Sequence, residues 1–336
     1  AFRLFAVWAT LRGIALPDWK QIEETPTRRI KGRFDALSKI RKFRESIPDW
    51  LDELGVAELG EDIWEKEIGA LNKQAPVIIR VNTLKTDIQT LQQKLKDEGF
   101  ETINLKDYPY ALQLVERANI FKTESFQNGL FEVQDASSQL VADFLDVKPG
   151  DRVVDTCAGA GGKSLHLAAL MENKGQVIAL DIYGNKLKEL KRRAKRAGAH
   201  NIETRVIDNN KVIKKLHGKA DKVLIDAPCS GLGVLSRNPD AKWKLEPEFL
   251  DRIRKTQQEI IRQYCKIVKK EGKMVYATCS VLPSENQLQV KDFLASEEGK
   301  DFKLIEDRKI LSSETGYDGF YMALLEKSDS KTSEQV

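Results

Sequence analysis

The chain has 336 residues, of which 41% are hydrophobic and 32% are charged, and its formal net charge is +4. This length suits two or three domains with buried cores. The four cysteines include no C-x-x-C pair and the three histidines are scattered, which argues against a disulfide framework and against a metal site. We therefore expect reduced thiols, a cytoplasmic location and no bound metal.

Residues 1–72 are predicted to form a helical N-terminal subdomain. The chain opens with apolar residues, but Arg3 and Arg12 interrupt them and the run is too short to span a bilayer. We interpret residues 1–16 as a core helix of a chain whose start has been trimmed, and we expect no membrane contact. Further apolar residues recur at helical spacing up to Gly55, which supports the helical assignment.

The pattern changes at Pro76, and residues 73–146 are predicted to form a compact α+β module. Gly99 is expected to end the first helix of this module. Asp135 suits the N-cap of its last helix, which should run to about Leu145. The other predicted elements are strands at 77–82, 100–105 and 131–134 and a helix at 87–98.

From residue 147 to 326 the sequence alternates between predicted strands and helices. This alternation indicates an α/β fold with a doubly wound parallel sheet, in which ligands bind beyond the carboxyl ends of the strands. Cys265 belongs to the apolar stripe of one helix and is predicted to lie in the core, while residues 327–336 are predicted to be a disordered tail. The predicted strands cover 152–155, 177–181, 203–207, 222–226 and 273–278.

A glycine-rich loop follows the first of these strands and opens a helix. Glycines let the backbone approach a ligand closely, and amide N–H groups remain free at the helix N-terminus. The spacing is neither that of a P-loop nor a complete G-x-G-x-x-G, because Ser164 occupies the last position, so triphosphate hydrolysis is disfavoured. The loop residues are Cys157, Ala158, Gly159, Ala160, Gly161, Gly162 and Lys163.

Acidic residues close the next three strands. Asp181 ends the second strand, Asp208 lies just past the third and Asp226 ends the fourth. A carboxylate after the second strand suits ribose hydroxyls, and one after the third could meet an adenine amino group. Both S-adenosylmethionine and NAD offer these groups. Methyl transfer and hydride transfer therefore stay open at this point, as does a plain role as strand-end caps.

Two cysteines, each followed by serine, end neighbouring predicted strands in the segments 226–230 and 276–280. A thiolate that adds to carbon 6 of cytosine turns carbon 5 into an enamine carbon able to attack a sulfonium methyl group. Asp226 is the nearest candidate for a carboxylic acid beside ring nitrogen 3, and a second thiol could assist release of the product. The residues alone leave open whether Cys229 or Cys279 attacks, because DNA cytosine-5 methyltransferases carry their nucleophile in a Pro-Cys motif.

The segments 226–234 and 276–286 resemble RNA cytosine-5 methyltransferases of the RsmB, or Sun, type, and the likeness extends over about residues 45–326. The resemblance implies a Rossmann-like methyltransferase domain over 147–326, with Cys279 as nucleophile and Cys229 as the thiol that aids release. It also implies that S-adenosylmethionine is the cofactor, bound by the loop 157–163 together with Asp181, Asp208 and Asp226. The chain departs from the family at Gly159-Ala160, where Ala-Pro is usual, and we expect a more flexible loop there.

The resemblance further implies that the module at 73–146 is RRM-like and grips RNA, for which Arg80 and Lys85 are the candidates. We expect a monomeric enzyme that methylates carbon 5 of a cytosine in RNA, with small-subunit ribosomal RNA as the first candidate and transfer RNA as the alternative. A non-catalytic RNA-binding assembly factor on the same fold is a further alternative, although both thiols are retained. An NAD-dependent oxidoreductase would leave the paired cysteines unexplained.

Overall fold

The computed structural model describes residues 1–328, which divide into two compact units, residues 1–68 and residues from 69 onward. Across the described residues, every helix is too short or too polar to span a bilayer. The tail predicted at 327–336 lies almost wholly outside the described residues, and Lys327 still belongs to a strand.

The first unit is helical, as predicted. The helix that carries Gly55 packs closely against the helix that carries Trp64. A Cβ atom on Gly55 would lie 2.2 Å from the ring of Trp64, so only glycine permits this packing. The prediction of a core helix at 1–16 is wrong in one respect, because Phe2, Leu4 and Trp8 are exposed. The apolar side chains of that helix are distributed all around its axis, and the rest of the unit can cover only one face of it. The helices are α1 (Phe2–Arg12), α2 (Thr27–Leu37), α3 (Arg41–Arg44), α4 (Asp49–Leu59) and α5 (Glu61–Leu71).

The second unit begins with a four-stranded antiparallel sheet in the order β2-β3-β1-β4. Asp87 caps the following helix by accepting a hydrogen bond from the Thr90 N–H at 2.8 Å. Strand β3 was not predicted, because its short apolar run follows a turn and shows no alternation. The elements are β1 (Ile78–Val81), α6 (Ile88–Asp97), β2 (Thr102–Asn104), β3 (Ala111–Leu114), α7 (Glu124–Gln127), β4 (Phe131–Val133) and α8 (Ala136–Phe144).

A seven-stranded sheet in the order β10-β11-β9-β8-β5-β6-β7 forms the rest of the second unit. The five predicted strands are its parallel members, β5 to β9, whereas β10 and β11 run antiparallel at one edge and were not predicted. The strands are β5 (Arg152–Asp155), β6 (Gln176–Asp181), β7 (Ile202–Val206), β8 (Ala220–Asp226), β9 (Val268–Thr278), β10 (Phe302–Ile310) and β11 (Phe320–Lys327). The helices are α9 (Gly162–Leu170), α10 (Gly184–Ala197), α11 (Asn210–Lys214), α12 (Ala241–Lys244), α13 (Pro247–Tyr264), α14 (Gln287–Leu294) and α15 (Ser312–Thr315).

The strand order decides where a ligand can enter. From β5 the chain winds outward through β6 and β7, then returns to place β8 and β9 on the other side of β5. The winding direction therefore reverses between β5 and β8, and helices leave this point on opposite faces of the sheet. Sheets of this kind bind ligands in the crevice that the reversal opens at the carboxyl ends of the strands.

Candidate active site

The candidate site is a cavity of about 660 Å³ at this reversal point. The glycine loop after β5 and the segments that follow β6 and β8 line it, together with Cys279 after β9. Helix α13 contributes Thr256, Ile260 and Tyr264, and β11 contributes Phe320. The cavity thus collects the thiols and most of the residues that the sequence singled out.

The glycine loop is held by its own conformation and by side chains around it. Gly161 has a φ of +86°, and a Cβ atom there would lie 2.4 Å from the Leu190 side chain, so glycine is required. Arg193 donates to the carbonyl oxygen of Ala160 at 2.8 Å. The loop therefore receives external support at the Gly159-Ala160 departure, where the sequence predicted extra flexibility.

Asp181 and Asp208, which the sequence suggested for the ribose and for the adenine of a nucleotide cofactor, lie in different environments. Asp181 is 7% exposed and lines the cavity. Its carboxylate accepts the backbone N–H groups of Gly159 at 2.8 Å and Tyr183 at 2.7 Å, which ties the loop to the end of β6. Asp208 is exposed and bonds to Asn209 at 2.9 Å, and the cavity wall beyond β7 is formed by Ile207 instead. The structure therefore does not bring Asp208 into the site.

The two thiols meet at the cavity, with 3.4 Å between the sulfur atoms of Cys229 and Cys279. Strands β8 and β9 are parallel neighbours in which Asp226 pairs with Ala277, so the segments after them emerge side by side. The hydrogen bond to Cys279, together with burial, raises the pKa of the Cys229 thiol well above its usual value. Cys229 therefore stays protonated when the neighbouring sulfur is ionised.

An ion pair lines the same cavity as the thiols. The Lys163 ammonium donates to the Asp226 carboxylate at 2.7 Å and lies 5.2 Å from the centre of the Phe320 ring. Burial is the largest single effect and lowers the pKa of Lys163, but the charge and the hydrogen bond of Asp226, together with other negative charges nearby, outweigh it and the pKa is raised. Behind the pair, burial raises the pKa of Asp155 to about 7. The ion pair therefore keeps the Lys163 ammonium protonated at the cavity wall.

The remaining two cysteines have raised pKa values because of burial. Cys157 lines the cavity from the glycine loop, but burial raises the pKa of its thiol far above the usual value. Cys265 is 2% exposed within the core, as the sequence predicted, and burial raises its pKa to about 11. Both thiols therefore stay protonated at neutral pH.

The prediction that Arg80 grips RNA is corrected by its position. Arg80 is 2% exposed, and its guanidinium donates to the Gln134 side chain and, at 2.7 Å, to the carbonyl oxygen of Gly162 in the glycine loop. It thus holds the glycine loop at Gly162. Lys85 is exposed and donates to the carbonyl oxygens of Asn128 and Arg196, at 2.8 and 2.7 Å. An RNA contact by Lys85 remains a prediction.

The sequence did not indicate two groups of site residues. The face of α13 that lines the cavity carries only ordinary helix residues, so its sequence gave no signal. Glu285, which is fully buried behind the thiols, lies in the segment 276–286 that carried the family resemblance, yet it received no role. An acidic residue six positions after a candidate nucleophile was the available signal.

Comparisons with known proteins agree with this geometry. The profile of the family described as "16S rRNA methyltransferase RsmB/F" matches residues 142–326, and that of the "RsmF/B-like, ferredoxin-like domain" matches residues 47–121. A probable ribosomal RNA small subunit methyltransferase B of Bacillus subtilis is 34% identical over 315 residues, covering 88% of this chain and 70% of the relative. That of Synechocystis is 34% identical over 255 residues, covering 75% of this chain and 57% of the relative.

Solved structures give the same result. The crystal structure of PH0851 superposes with a TM-score of 0.83 at 30% identity, covering 96% of this chain and 80% of that one. NSun6 from Pyrococcus horikoshii, solved with SFG, shares the fold with a TM-score of 0.77 at 22% identity, covering 85% of this chain and 99% of that one. These matches confirm the resemblance that the cysteine motifs suggested, and they confirm the Rossmann-like architecture.

Proposed function

Because the chain belongs to the RsmB/F family of 16S rRNA methyltransferases, we propose that it methylates carbon 5 of a cytosine in RNA through a covalent bond between Cys279 and carbon 6. The observation that carries this proposal is the pair of thiols, 3.4 Å apart, at the wall of the cavity. The cofactor of the family is S-adenosylmethionine, which supplies the methyl group when it is bound.

The residues around the cavity suit that cofactor. Each oxygen of the Asp181 carboxylate accepts one backbone N–H, and a carboxylate offers about four acceptor positions in all, so acceptors remain for ribose hydroxyls. Ile182 and Ile207 provide apolar surface for an adenine ring. Gly159, which lines the cavity and has a φ of +54°, leaves room for close approach of a ligand to the backbone.

The two thiols have different roles in this proposal. Cys279 adds as a thiolate to carbon 6 of the ring, which breaks the aromatic conjugation and makes carbon 5 nucleophilic. The resemblance of the two cysteine motifs to those of the RsmB/F family supports this order. After methylation, the proton on carbon 5 must leave so that the Cys279 sulfur is expelled. We assign this step to Cys229: its thiol gives its proton to the departing Cys279 sulfur 3.4 Å away, and the thiolate so formed accepts the proton from carbon 5.

The ion pair handles the charge that the addition creates. Thiolate addition to carbon 6 leaves negative charge on the ring, which a proton near ring nitrogen 3 would neutralise. We assign that proton to the pair formed by Lys163 and Asp226. This refines the sequence-based role of Asp226, since its carboxylate accepts a hydrogen bond from the Lys163 ammonium at 2.7 Å and so orients the proton donor.

The names of the relatives support small-subunit ribosomal RNA as the substrate. We further propose a cytoplasmic enzyme, because the mechanism needs two reduced thiols, and we keep the sequence-based expectation that it is monomeric. Bisulfite sequencing of RNA from cells with and without the protein tests the proposal. We expect protein-dependent protection of a cytosine in small-subunit ribosomal RNA. If protection is confined to transfer RNA, transfer RNA is the substrate. A methyl group on another atom, found by nucleoside mass spectrometry, would contradict methylation of carbon 5.

A further inference from the structure

A buried carboxylate lies directly behind the two thiols and is bonded to both of the segments that carry them. Glu285 is 0% exposed. Its Oε1 accepts the backbone N–H of Ser230 at 2.8 Å and the Gln257 amide at 3.0 Å. Its Oε2 accepts the hydroxyl groups of Ser230 and Ser280. Each serine follows a cysteine directly, so one side chain connects the segment after β8 to the segment after β9.

Glu285 is itself held by the elements around it. The Tyr276 hydroxyl, on β9, donates to the backbone carbonyl of Glu285 at 2.8 Å. The next residue, Asn286, donates to the carbonyl oxygen of Ser280 at 2.9 Å. Gln257 also donates to the carbonyl oxygen of Pro228 at 3.0 Å. The carboxylate therefore has a fixed position relative to both strands and to α13.

A carboxylate suits this position for a chemical reason. An ionised carboxylate accepts hydrogen bonds on two oxygens and donates none, so it can receive all four donors at once. Its burial is costly unless those donors are present, which makes any displacement of either thiol segment unfavourable. The four bonds thus resist separation of the two segments.

We propose that Glu285 is a positioning residue that holds Cys229 and Cys279 side by side in the geometry needed for attack and release. The inference rests on the proposed function, since both thiols must reach one cytosine ring. A displacement of a reacting group by about 1 Å can cost on the order of 100-fold in rate. Nothing in this role requires Glu285 to touch the RNA or the cofactor.

Two substitutions separate the geometry from the charge. Glu285→Ala removes all four bonds, and we expect kcat for cytosine methylation to fall about 100-fold while KM for S-adenosylmethionine stays unchanged. In Glu285→Gln the amide oxygen can replace Oε1, and the amide NH₂ can donate to the two serine hydroxyls. We expect this variant to retain most of the activity, which would identify geometry rather than charge as the contribution.

Neighbouring glutamines on α13 provide a matched pair if Glu285→Ala does not fold. Gln257→Leu removes one of the four bonds, and we expect roughly a tenfold loss of kcat. Gln258, the next residue, donates instead to the Gln289 side chain at 2.7 Å and makes no bond to the thiol segments. Gln258→Leu should therefore keep the activity of the unmodified protein.

Phenylarsine oxide gives a readout that needs neither RNA nor methyl transfer, because it bridges two thiols only if they lie next to each other. Peptide mass mapping should find Cys229 and Cys279 joined through arsenic in the unmodified protein, in Glu285→Gln and in Gln258→Leu. Bridging should be slower in Glu285→Ala and in Gln257→Leu. If folded Glu285→Ala, or Gln257→Leu in its place, bridges and methylates like the unmodified protein, the inference is wrong. If the unmodified protein bridges its thiols but never methylates cytosine, the proposed function fails and the positioning role in methylation fails with it, although the effect of Glu285 on thiol spacing would remain.

Discussion

Replacing Arg80 tests whether a buried side chain of the four-stranded module supports the cofactor loop. The guanidinium donates to the carbonyl oxygen of Gly162 at 2.7 Å and to the Gln134 side chain. Arg80→Met retains much of the length and apolar volume of the side chain but leaves that carbonyl without this donor. We expect weaker binding of S-adenosylmethionine and an unchanged response of RNA affinity to salt.

The size of the effect follows from the bonds that are lost. A hydrogen bond to a charged group contributes about 1.5 to 3 kcal/mol to stability. If the loop must keep the Gly162 position to bind cofactor, the same range raises the Kd about 10- to 150-fold. Burial lowers the pKa of Arg80 to about 9, which means that desolvation opposes these bonds. We therefore expect Arg80→Met to lower the free energy of unfolding by an amount near the lower end of this range.

Isothermal calorimetry with S-adenosylmethionine and urea unfolding measure the two quantities separately. Arg117→Met is the matched control, because Arg117 also donates to a backbone carbonyl, that of Ala75 at 2.8 Å, but makes no contact with the glycine loop. Unchanged cofactor affinity in a destabilised Arg80→Met would reduce Arg80 to a packing role. A salt slope for RNA binding that falls by about 0.7 to 0.9 would restore the phosphate contact that burial argues against.

Four further predictions concern the cavity and the RNA surface. Cys279→Ala should abolish methylation but keep cofactor affinity, since no thiolate then adds to carbon 6; methylation at the normal rate would contradict the assignment. Cys229→Ala should accumulate a protein–RNA adduct on denaturing gels, and loss of the adduct here but not in Cys279→Ala would reverse the two roles. Asp181→Ala should weaken S-adenosylmethionine binding by about 1.5 to 3 kcal/mol, whereas Asp208→Ala, outside the cavity, should leave calorimetric affinity unchanged. Lys85→Ala should lower the logarithmic salt slope of RNA binding by about 0.7 to 0.9, and an unchanged slope would remove Lys85 from the RNA surface.

The parallel strands were predictable because each carries a short apolar run with turn residues on both sides, and the helices between them show clear apolar stripes. The two edge strands gave no such signal. Strand β10 (Phe302–Ile310) is charged along most of its length and exposed between its buried ends, as is usual for an edge that must not pair with other chains. The first six residues of strand β11 (Phe320–Lys327) form an unbroken apolar run, which by periodicity alone does not distinguish a strand from a buried helix.

Local sequence also predicted which carboxylates and thiols are candidates for the site better than it predicted the tertiary environment of each. Asp181 and Asp208 both follow parallel strands, and nothing nearby in the sequence separates them. What separates them is tertiary: the Gly159 N–H turns toward Asp181, while Ile207 takes the place at the cavity wall that Asp208 was expected to occupy. The sequence predicted that the two cysteines follow neighbouring strands, and β8 and β9 do pair as parallel neighbours. This pairing follows from the order of the two motifs once a parallel sheet is assumed.

Arg80 shows most clearly why the remainder could not be predicted. In a strand, side chains alternate between faces, so an arginine between isoleucine and valine is expected to point to solvent. All four residues of β1 are buried instead, because both faces of this strand are covered. The arginine is tolerated there because the charge of Glu132 favours its ionised form and because Gly162, 82 residues further along the chain, offers a carbonyl oxygen. A buried charge depends on partners that are distant in sequence, so no window of local residues could have distinguished a support for the cofactor loop from a contact with RNA.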